Sequence, residues 1–583
     1  MVKEKKIYDL VVIGGGLAGI SAAISSARLG SKVALVQDRP VLGGNSSSEI
    51  GVWIGGADCC NKNARETGII EELRIEDRYR NHRKVIYGEI NSVWDTILWE
   101  WVKREENIDL YLNTVAEESV MRDSKRIGKI IAQQISSEKR FELKADIFID
   151  ASGDGCIAYS AGAEFRVGRE SQDEFKEKRA PEIADKWTMG SSLLFRAKDM
   201  GHPVSFKSPP WAYDFPDDED LPFRGHSHIQ SGFWWIEYGG TLDTIKDNEK
   251  IRDELLKILF GVWDHIKNHG DHGADNYCLD WVGSVPGKRE SRRFIGDYIL
   301  TQNDLEEHKL FSDRIAYGGW PIDLHPPQGI FAKEPPCENS YPGLYSIPFR
   351  CLYSKNIENL MMAGRNISVT HVALGSTRLM ATCAVEGQAV GTAAYLCKKY
   401  NTNPRGIYKN YINELQQLLL KKDCYIIGLK NEDKNDLARE SRITASSFKS
   451  KEYKPENVIS GVSRPEEDSP NIWISDPHQP MPQYIDLEFN DRKEINTIYL
   501  TFDANLDKLV EIGPAPECVK DYTLYFHNGK SWVKIFSETG NYHRHRRHTF
   551  DPVVTKKLRV EVSATNGLNE ARIYEIRVYK EVK

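Results

Sequence analysis

The chain has 583 residues, more than one hydrophobic core usually serves, so we expect at least two domains. Its hydrophobic fraction of 40% and charged fraction of 28% are ordinary for a globular protein. The net charge of −7 gives no reason to expect a nucleic-acid partner, and no apolar run is long enough to predict a membrane partner. Glycines interrupt the first apolar stretch, unlike a signal peptide, so the sequence as given indicates a cytoplasmic protein, although a leader removed earlier would leave no trace.

The first part of the chain alternates strand-like and helix-like segments. "YDLVVIG" predicts a buried strand, "LAGISAAISSARLG" a helix of small residues and "KVALVQ" a second strand, and "RIEDRYRNHRK" is predicted to be helical. This alternation predicts an α/β, Rossmann-like domain. From about residue 165 to 345, Trp and Pro become frequent and periodicity weakens. We expect an inserted substrate or cap region there, covering one face of the first domain.

The last part of the chain has an all-β pattern. Short alternating segments, from "QYIDLEF" and "INTIYLTF" to "IYEIRVYK", are separated by turn residues. About 140 residues of this pattern predict a β-sandwich. We therefore expect a first domain over residues 1–438 and a sandwich over 439–583, joined by the polar segment "GLKNEDKNDLARES".

A glycine motif follows the first strand at once. Gly14 permits a tight turn, Gly16 lets a pyrophosphate approach the backbone, and Gly19 lets the helix pack on the strand. The helix then begins at Leu17 and Ala18 with free N–H groups that suit phosphate oxygens. In this strand–turn–helix context, the motif predicts a dinucleotide site.

The second strand ends in a glutamine where an acidic residue usually binds the ribose. Gln37 can accept one hydrogen bond from the ribose and donate another, whereas a carboxylate would accept from both hydroxyls. Asp38 or the backbone of Arg39 could share this task. The glutamine therefore leaves ribose binding in place, with changed geometry.

Three further stretches favour flavin over nicotinamide. "PVLGGNSSSEIG" and "DIFIDASGDG" bring small residues and bare backbone close to the same ligand. "NLMMAGRNIS" is a strand that ends at a Gly-Arg pair, and "GQAVGTAA" begins or continues a helix whose positive end would stabilise negative charge on a reduced flavin.

This combination resembles the two-domain flavoproteins of the glutathione-reductase-like superfamily, and more closely the bacterial family of FAD-dependent oxidoreductases. The stretches that carry the resemblance are "VALVQDRPVLGGNSSSEI", "IDASGDG", "PGKRESRRFIGDYILT", "GGWPIDLH" and "AGRNISVTHVALGSTRLMATCAVEGQAVG". They span residues 8 to about 440, and the resemblance implies an FAD cofactor and hydride transfer at flavin N5. The glutamine of "VQDRP" is the ordinary residue in that family, so Gln37 is consistent with FAD. Beyond the residues named above, the expected cofactor contacts are Gly43, Gly44, Asn45, Ser46, Val115, Ala151, Ser152, Gly153, Gly364, Arg365, Gly387 and Ala389.

The candidate catalytic residues lie near the flavin motifs and in the inserted region. His371 and Arg378 of "THVALGSTR" are candidates for a base and for an oxyanion or carboxylate clamp. His325 in "WPIDLHPP" is a second candidate base, and Arg289 of "GKRESRR" is a candidate substrate contact. The alternative for each is an ordinary loop or surface role. No Cys/His set has the spacing of a zinc site, so we expect no metal.

The segment that begins "ITASSFKSKEYKPENVISG" resembles the discoidin or galactose-binding-like sandwich. Trp473, Tyr542 and the run from His543 to His548 are candidate glycan contacts, although packing on the flavin domain or dimerisation is the favoured role. We expect a small polar substrate, with a sugar, glycoside or polyol favoured, and an unidentified electron acceptor. The alternatives are a reductase of an activated double bond and a glycan-binding protein with a structural FAD. A homo-oligomer is left open.

Overall fold

The computed structural model describes residues 2–80 and 92–581 of the chain. It divides into two compact units, one of Met1–Cys60 with Gly88–Ile412 and the other of Asn61–Tyr87 with Asn413–Lys583. Among the described helices, none combines the length and hydropathy that a bilayer crossing requires.

The elements alternate between helix and strand in the first unit and are mostly strands in the second. The helices are α1 (Leu17–Arg28), α2 (Ile69–Tyr79), α3 (Trp94–Lys103), α4 (Cys156–Ser160), α5 (Gln172–Phe175), α6 (Asn248–Asn268), α7 (Gln302–Glu306), α8 (His371–Thr377), α9 (Met380–Lys399), α10 (Pro404–Asn410) and α11 (Ile412–Lys421). The strands of the first unit are β1 (Val2–Ile7), β2 (Leu10–Ile13), β3 (Val33–Val36), β4 (Ile108–Tyr111), β5 (Thr114–Asp123), β6 (Arg126–Gln134), β7 (Lys139–Lys144), β8 (Ile147–Asp150), β9 (Phe165–Arg166), β10 (Ser191–Ser192), β11 (Phe195–Asp199), β12 (Glu237–Tyr238), β13 (Tyr277–Val282), β14 (Gly287–Lys288), β15 (Arg293–Phe294), β16 (Arg314–Gly318), β17 (Ile322–Leu324), β18 (Glu338–Ser340), β19 (Tyr345–Pro348) and β20 (Leu360–Met362). The strands of the second unit are β21 (Arg442–Ala445), β22 (Trp473–Ile474), β23 (Gln483–Phe502), β24 (Val519–His527), β25 (Trp532–Glu538), β26 (His545–Thr565) and β27 (Arg572–Tyr579).

A five-stranded parallel sheet forms the centre of the first unit, in the order β20-β8-β2-β3-β4. Strands β2, β3 and β8 are buried along their whole length, as expected for a parallel sheet that is covered on both faces. A second sheet, β1-β7-β6-β5, is mostly antiparallel. The Rossmann-like prediction is confirmed. The carboxyl ends of β2, β8 and β20 share one edge, so the loops that follow them converge there.

Helices α1 and α9 pack closely because small residues line their contact. A Cβ added to Gly387 would lie 2.0 Å from the carbonyl oxygen of Ala18, and one added to Gly391 would lie 2.1 Å from that of Ala22. No real Cβ approaches backbone so closely, so glycine is required at both positions. The small residues of "GQAVGTAA" thus serve the packing of α9 on α1.

The region between β9 and β19 has a hydrophobic cluster of its own. Leu193, Phe195, Phe233 and Trp235 pack there against one face of α6, around Trp263. Its strands form separate sheets of two or three strands, so no long periodic pattern is present in the sequence. We retain the limits of about 165 and 345 for this region as a proposal.

The second unit contains the antiparallel β-sandwich, which confirms that prediction. The strand order is β22-β27-β23-β26-β24-β25, with β21 paired to β23. The two separately predicted strands "QYIDLEF" and "INTIYLTF" form one continuous strand, β23, because register shifts at residues 488–493 and 495–497 accommodate the charged segment between them. The sandwich strands begin at Arg442, and we keep 439 as the proposed start of this domain.

The aromatic residues considered for glycan binding lie inside the second unit. Trp473 is 0% exposed, and its indole N–H donates to the carbonyl oxygen of Ser447. Tyr542 stacks on Tyr79 with ring centroids 3.6 Å apart, and its hydroxyl donates to Glu76. These contacts give Trp473 and Tyr542 a structural role within the unit, in line with the favoured role in packing; a glycan contact by the sandwich stays a prediction. In the helix predicted over "RIEDRYRNHRK", α2 ends at Tyr79, and residues 81–91 lie outside the described residues.

Candidate active site and cofactor cleft

A cleft opens at the carboxyl edge of the parallel sheet. Most of the predicted cofactor residues line it: Gly14, Gly16, Leu17, Ala18, Gln37, Asp38, Arg39, Gly43, Gly44, Asn45, Val115, Ala151, Ser152, Gly153, Gly364 and Arg365. Lining residues that the sequence analysis did not name are Ile13, Val36, Thr114, Ala116, Asp154, Cys156, Met380 and Cys383. Of the four candidate catalytic residues, only Arg378 lines the cleft.

The glycines of the turn after β2 have two different roles: Gly14 and Gly19 allow close packing on backbone, and Gly16 leaves space for a ligand. Gly14 has φ +104°, and a Cβ on it would lie 2.3 Å from the carbonyl oxygen of Ala151. A Cβ on Gly19 would lie 1.8 Å from the carbonyl oxygen of Gly14. Gly16, in contrast, faces open space, with Gly44 Cα at 3.9 Å as the nearest atom to an added Cβ. Since no side chain caps α1 at Gly16, the cleft meets bare backbone at the helix N-terminus.

Gln37 stabilises the glycine turn through two hydrogen bonds of its amide group. Its Oε1 accepts a hydrogen bond from the backbone N–H of Gly15 at 2.6 Å, and its Nε2 donates to the carbonyl oxygen of Val41 at 3.3 Å. This use of one acceptor and one donor explains why an amide suits the position. The neighbouring Asp38 lines the cleft with an exposed side chain.

Two aspartates shape the turn after β8. The buried carboxylate of Asp150 accepts from Ser152 Oγ at 2.6 Å and from the backbone N–H of Ala158 at 2.9 Å, and burial raises its pKa. Asp154 accepts from Lys288 Nζ at 2.6 Å. Although burial acts in the opposite direction, Lys288 and Arg365 lower the pKa of Asp154. The turn therefore holds its backbone rigidly against the cleft and places an anionic carboxylate in the wall.

The turn after β20 presents bare backbone and an arginine. Gly364 has φ +105°, and a Cβ on it would meet only the Cβ of Ala18, at 3.7 Å. Its backbone N–H donates to Glu386 Oε2 at 3.0 Å, and burial raises the pKa of Glu386 well above its ordinary value. The Nη2 of Arg365 lies 3.6 Å from Asp154, while its buried Nη1 has no hydrogen-bond partner among the described residues. A donor is therefore available here for a ligand.

Four predicted cofactor residues do not line the cleft: Gly19, Ser46, Gly387 and Ala389. Gly19 packs within the glycine turn, and Gly387 packs α9 against α1. The Oγ of Ser46 donates to the carbonyl oxygen of Gly43 at 2.9 Å and accepts from the indole of Trp94 at 3.0 Å. The structure thus gives these positions a part in shaping the wall.

Arg378 follows the last residue of α8 and joins the cleft to a charged network. Its side chain is 12% exposed, and its Nη2 donates to Asp323 Oδ2 at 2.8 Å. Its buried Nε has no partner among the described residues. Burial lowers the pKa of Arg378, whereas His325 and Arg378 hold the pKa of Asp323 far below its ordinary range although burial opposes them.

His325 lies between two carboxylates. Its Nδ1 is 2.7 Å from Glu237 Oε2, and its Nε2 is 3.1 Å from Asp323 Oδ2. Arg289 and His325 lower the pKa of Glu237 against the effect of burial. An ionised carboxylate only accepts hydrogen bonds, so each ring nitrogen of His325 faces an acceptor. Arg289 lies behind this pair, 3.3 Å from Glu237, and donates to Ser192 Oγ at 2.8 Å.

His371 has one ring nitrogen tied to a buried carboxylate. Its Nδ1 lies 2.8 Å from Glu290 Oε2, and its backbone N–H donates to Glu170 Oε2 at 2.9 Å. Arg293 lies 3.2 Å from Glu290 and 2.8 Å from Glu170, so it balances both acids. His371 and Arg293 lower the pKa of Glu290 although burial opposes them. The Nδ1 of His371 therefore donates, and its Nε2 is left as the basic nitrogen.

The acids of this network were not predicted from the sequence. Glu170, Glu237 and Asp323 stand in the sequence as unremarkable charged residues. The signal that identifies them is pairing with a histidine or an arginine far away in the chain, which a sequence pattern does not contain.

Comparison with known proteins gives two family matches. The model of the family described as FAD dependent oxidoreductase matches residues 9–419, and that of the F5/8 type C domain matches residues 442–576. A soluble pyridine nucleotide transhydrogenase of Ectopseudomonas mendocina is 55% identical over 38 residues, which cover 6% of this chain and 8% of the relative. A fumarate reductase (cytochrome) of Shewanella frigidimarina is 36% identical over 77 residues, 13% of each chain. The chain therefore spans only a small part of these curated relatives.

Solved structures with similarity to this chain include carbohydrate-binding modules. The family 32 module of C. perfringens NanJ, in complex with galactose, is 15% identical with a TM-score of 0.21 and covers 25% of this chain and 98% of its own. The family 32 module of Streptococcus pneumoniae EndoD is 16% identical with a TM-score of 0.22, and the match covers 25% of this chain and 99% of the module. On the family match over most of its length, the chain belongs to the FAD dependent oxidoreductase family, is an oxidoreductase with FAD as its cofactor, and carries a C-terminal F5/8 type C (discoidin) domain.

Proposed function

We propose that the cleft at the carboxyl edge of the parallel sheet is the FAD site. Gly16 and Gly44 oppose each other with bare backbone, and α1 begins beside them without a side-chain cap. This arrangement suits a pyrophosphate. Arg365 Nη1 and Arg378 Nε are buried donors without a partner among the described residues, so the cleft fits a ligand that carries several acceptor oxygens.

In this proposal Asp38, and not Gln37, accepts the hydrogen bonds of the ribose hydroxyls. The Gln37 amide already holds Gly15 and Val41, whereas the Asp38 carboxylate is exposed in the cleft. The other proposed contacts are Leu17, Ala18, Arg39, Gly43, Asn45, Val115, Ala151, Ser152, Gly153 and Gly364. Gly14, Gly19, Ser46, Gly387 and Ala389 support them from behind.

We propose that the enzyme oxidises a hydroxyl group of a small polar substrate, with a sugar, glycoside or polyol favoured. Bound FAD supplies the centre that accepts the hydride in such a reaction. His371 takes the hydroxyl proton at Nε2, since Glu290 holds Nδ1 as a donor and stabilises the charge that develops on the ring. Arg378 donates from Nε to the substrate oxygen.

His325 and Arg289 have a positioning role in this proposal. Because both ring nitrogens of His325 are engaged by carboxylates, neither is free to contact a substrate in this arrangement. It fixes Asp323, which in turn holds the guanidinium of Arg378 at the cleft. Arg289 balances the charge of Glu237 on the far side.

The observation that carries the proposal is the placement of Arg378. It is the point where the cleft meets the network of His325, Asp323 and Glu237, and it presents an unpaired buried donor there. An arginine is well placed to orient a substrate oxygen when one nitrogen of its guanidinium group is held in an ion pair and another has no partner.

A second candidate function is reduction of an activated double bond. The match to a segment of a fumarate reductase favours it, since fumarate has such a bond between two carboxylates. Arg378 would then hold a substrate carboxylate, and His371 would donate a proton from Nε2 to the substrate carbon.

Anaerobic absorbance of the FAD-loaded chain distinguishes these functions. We would titrate it with a panel of sugars, glycosides, polyols and hydroxy acids. Loss of the oxidised flavin band with one hydroxyl class supports the dehydrogenase proposal and identifies the substrate class. Bleaching by none of them, together with reoxidation of chemically reduced protein by unsaturated acids, supports the reductase instead.

A further inference from the structure

Three histidines and an aspartate converge in the inserted region, outside the cofactor cleft. They are Asp218, His226, His265 and His272, and each offers one ligand atom within 4.8 Å of the other three. The Nε2 of His265 lies 3.1 Å from Asp218 Oδ1, and that of His272 lies 3.6 Å from the same oxygen. In a tetrahedral zinc site, bonds of about 2.0–2.1 Å place neighbouring ligand atoms about 3.3 Å apart. These separations are already close to that value.

The histidine rings are oriented by contacts outside the cluster and by one another. The Nδ1 of His265 is 2.7 Å from the carbonyl oxygen of Phe215, so Nδ1 donates there and Nε2 faces the cluster with a lone pair. Backbone contacts of this kind orient metal-binding histidines. The rings of His226 and His272 have centroids 4.6 Å apart, and the Nε2 atom of each is buried without a hydrogen-bond partner among the described residues.

The cluster also leaves polar atoms buried without a partner among the described residues, the Nε2 atoms of His226 and His272. Two buried nitrogens without partners would be costly on their own, and a metal ion satisfies such atoms directly.

We propose that Asp218, His226, His265 and His272 bind one Zn²⁺ ion in a four-coordinate, structural site. Three imidazoles and one carboxylate are ligands of the type and number that zinc takes in proteins. With four protein ligands there is no open position for a substrate, so the site contributes stability and not chemistry.

The zinc ion holds a long irregular segment in place. Between β11 and β12, residues 200–236 form only two short 3-10 turns, Asp218–Asp220 and Ile229–Ser231. Unstructured connections longer than about 15 residues are uncommon in compact domains unless something fixes them. Asp218 and His226 lie in this segment, while His265 is in the last turns of α6. The metal thus ties the segment to the helix at two points.

Metal analysis of the full chain, purified without a histidine tag or a chelating column, tests the proposal. We expect about one zinc per chain in the wild type and below about 0.2 in His226→Gln and His272→Gln. His202→Gln is the matched control, because His202 is exposed in the same segment and outside the cluster, and it is expected to retain the metal. Wild-type protein from zinc-supplemented cultures that contains no metal and takes up none on dialysis would overturn the proposal.

Cobalt spectroscopy covers the case in which the variants fail to fold. Wild-type chain stripped of metal and titrated with Co²⁺ is expected to develop ligand-field bands of tetrahedral intensity at wavelengths longer than the flavin band. Cleavage of residues 200–236 by protease is expected to increase on metal removal and to be reversed by Zn²⁺, with FAD content unchanged. Weak bands of octahedral intensity, or cleavage that is insensitive to metal, would contradict the structural role.

Discussion

Replacement of Glu386 by glutamine is expected to stabilise the protein at neutral pH. Glu386 is 0% exposed, and its Oε2 accepts a hydrogen bond from the backbone N–H of Gly364. Its Oε1 is buried without a partner among the described residues, and burial raises its pKa well above the ordinary 4.5. The folded protein therefore keeps this proton to a higher pH than the unfolded chain does. Glutamine has nearly the same shape and retains the acceptor, but it carries no ionisable proton.

The magnitude follows from proton linkage. In the unfolded chain this glutamate ionises above pH 4.5, so the stability of the neutral folded form is fully present below pH 4.5 and is lost as pH rises toward the folded pKa. Each pH unit in that window costs the wild type about 1.4 kcal/mol. The advantage of Glu386→Gln over the wild type should therefore grow as the pH rises from 5 to 7, by about 1.4 kcal/mol per pH unit within the window.

Thermal unfolding of the FAD-loaded proteins measures this difference. With an unfolding entropy of about 2.1 cal/mol/K per residue and a unit of roughly 400 residues, 1.4 kcal/mol corresponds to about 1.7 °C in Tm per pH unit. Glu118→Gln, at an exposed position of β5, serves as the control and is expected to show no such growth. A Tm difference that is the same at pH 5 and pH 7, or a variant that is less stable at pH 7, would refute the reasoning.

Three further variants test the cleft and the network. Gly387→Ala would place a Cβ 2.0 Å from a backbone oxygen, so we expect it to lower the free energy of unfolding by about 3 kcal/mol and to reduce FAD occupancy. Gly225→Ala is the control, because a Cβ at that position has no neighbour within 4 Å. Equal Tm values for the two variants would contradict the packing argument. Asp38→Ala should raise the Kd of the apoprotein for FAD about tenfold in a fluorescence titration, and an unchanged Kd would exclude its ribose role. Glu290→Gln should slow flavin reduction about 100-fold in stopped flow with FAD content unchanged, and an unchanged rate would remove His371 as the base.

Most of the residues expected to bind the cofactor line one cleft because the conformation of each loop that carries them is set locally. Glycine turns, buried strands and helix starts are fixed by residues that are neighbours in the chain, so the loops after β2, β8 and β20 could be placed from their motifs alone. Parallel strands then bring these loops to one edge, whatever the rest of the chain does. The role of Gln37 needed the structure, since its amide binds the turn itself.

The charged networks could not be predicted because their pairs are distant in sequence. His371 and Glu290 are 81 positions apart, and His325 and Glu237 are 88 apart. The histidine cluster is similar, since His226 belongs to an irregular segment and His265 to a helix. The two roles considered for the aromatic residues of the sandwich could not be separated from the sequence for a related reason. A tryptophan such as Trp473 has the same appearance in a sequence whether it fills a core or faces a ligand.

Flavin reduction in wild type and in Arg378→Met, loaded with FAD to the same occupancy, tests the central claim most directly. With the substrate class that bleaches the wild type under anaerobic conditions, Arg378→Met is expected to stay oxidised, although dithionite reduces both proteins. That result would place the reacting substrate at the junction of the cleft and the network, where Arg378 lies. Bleaching of Arg378→Met at the wild-type rate would contradict the account.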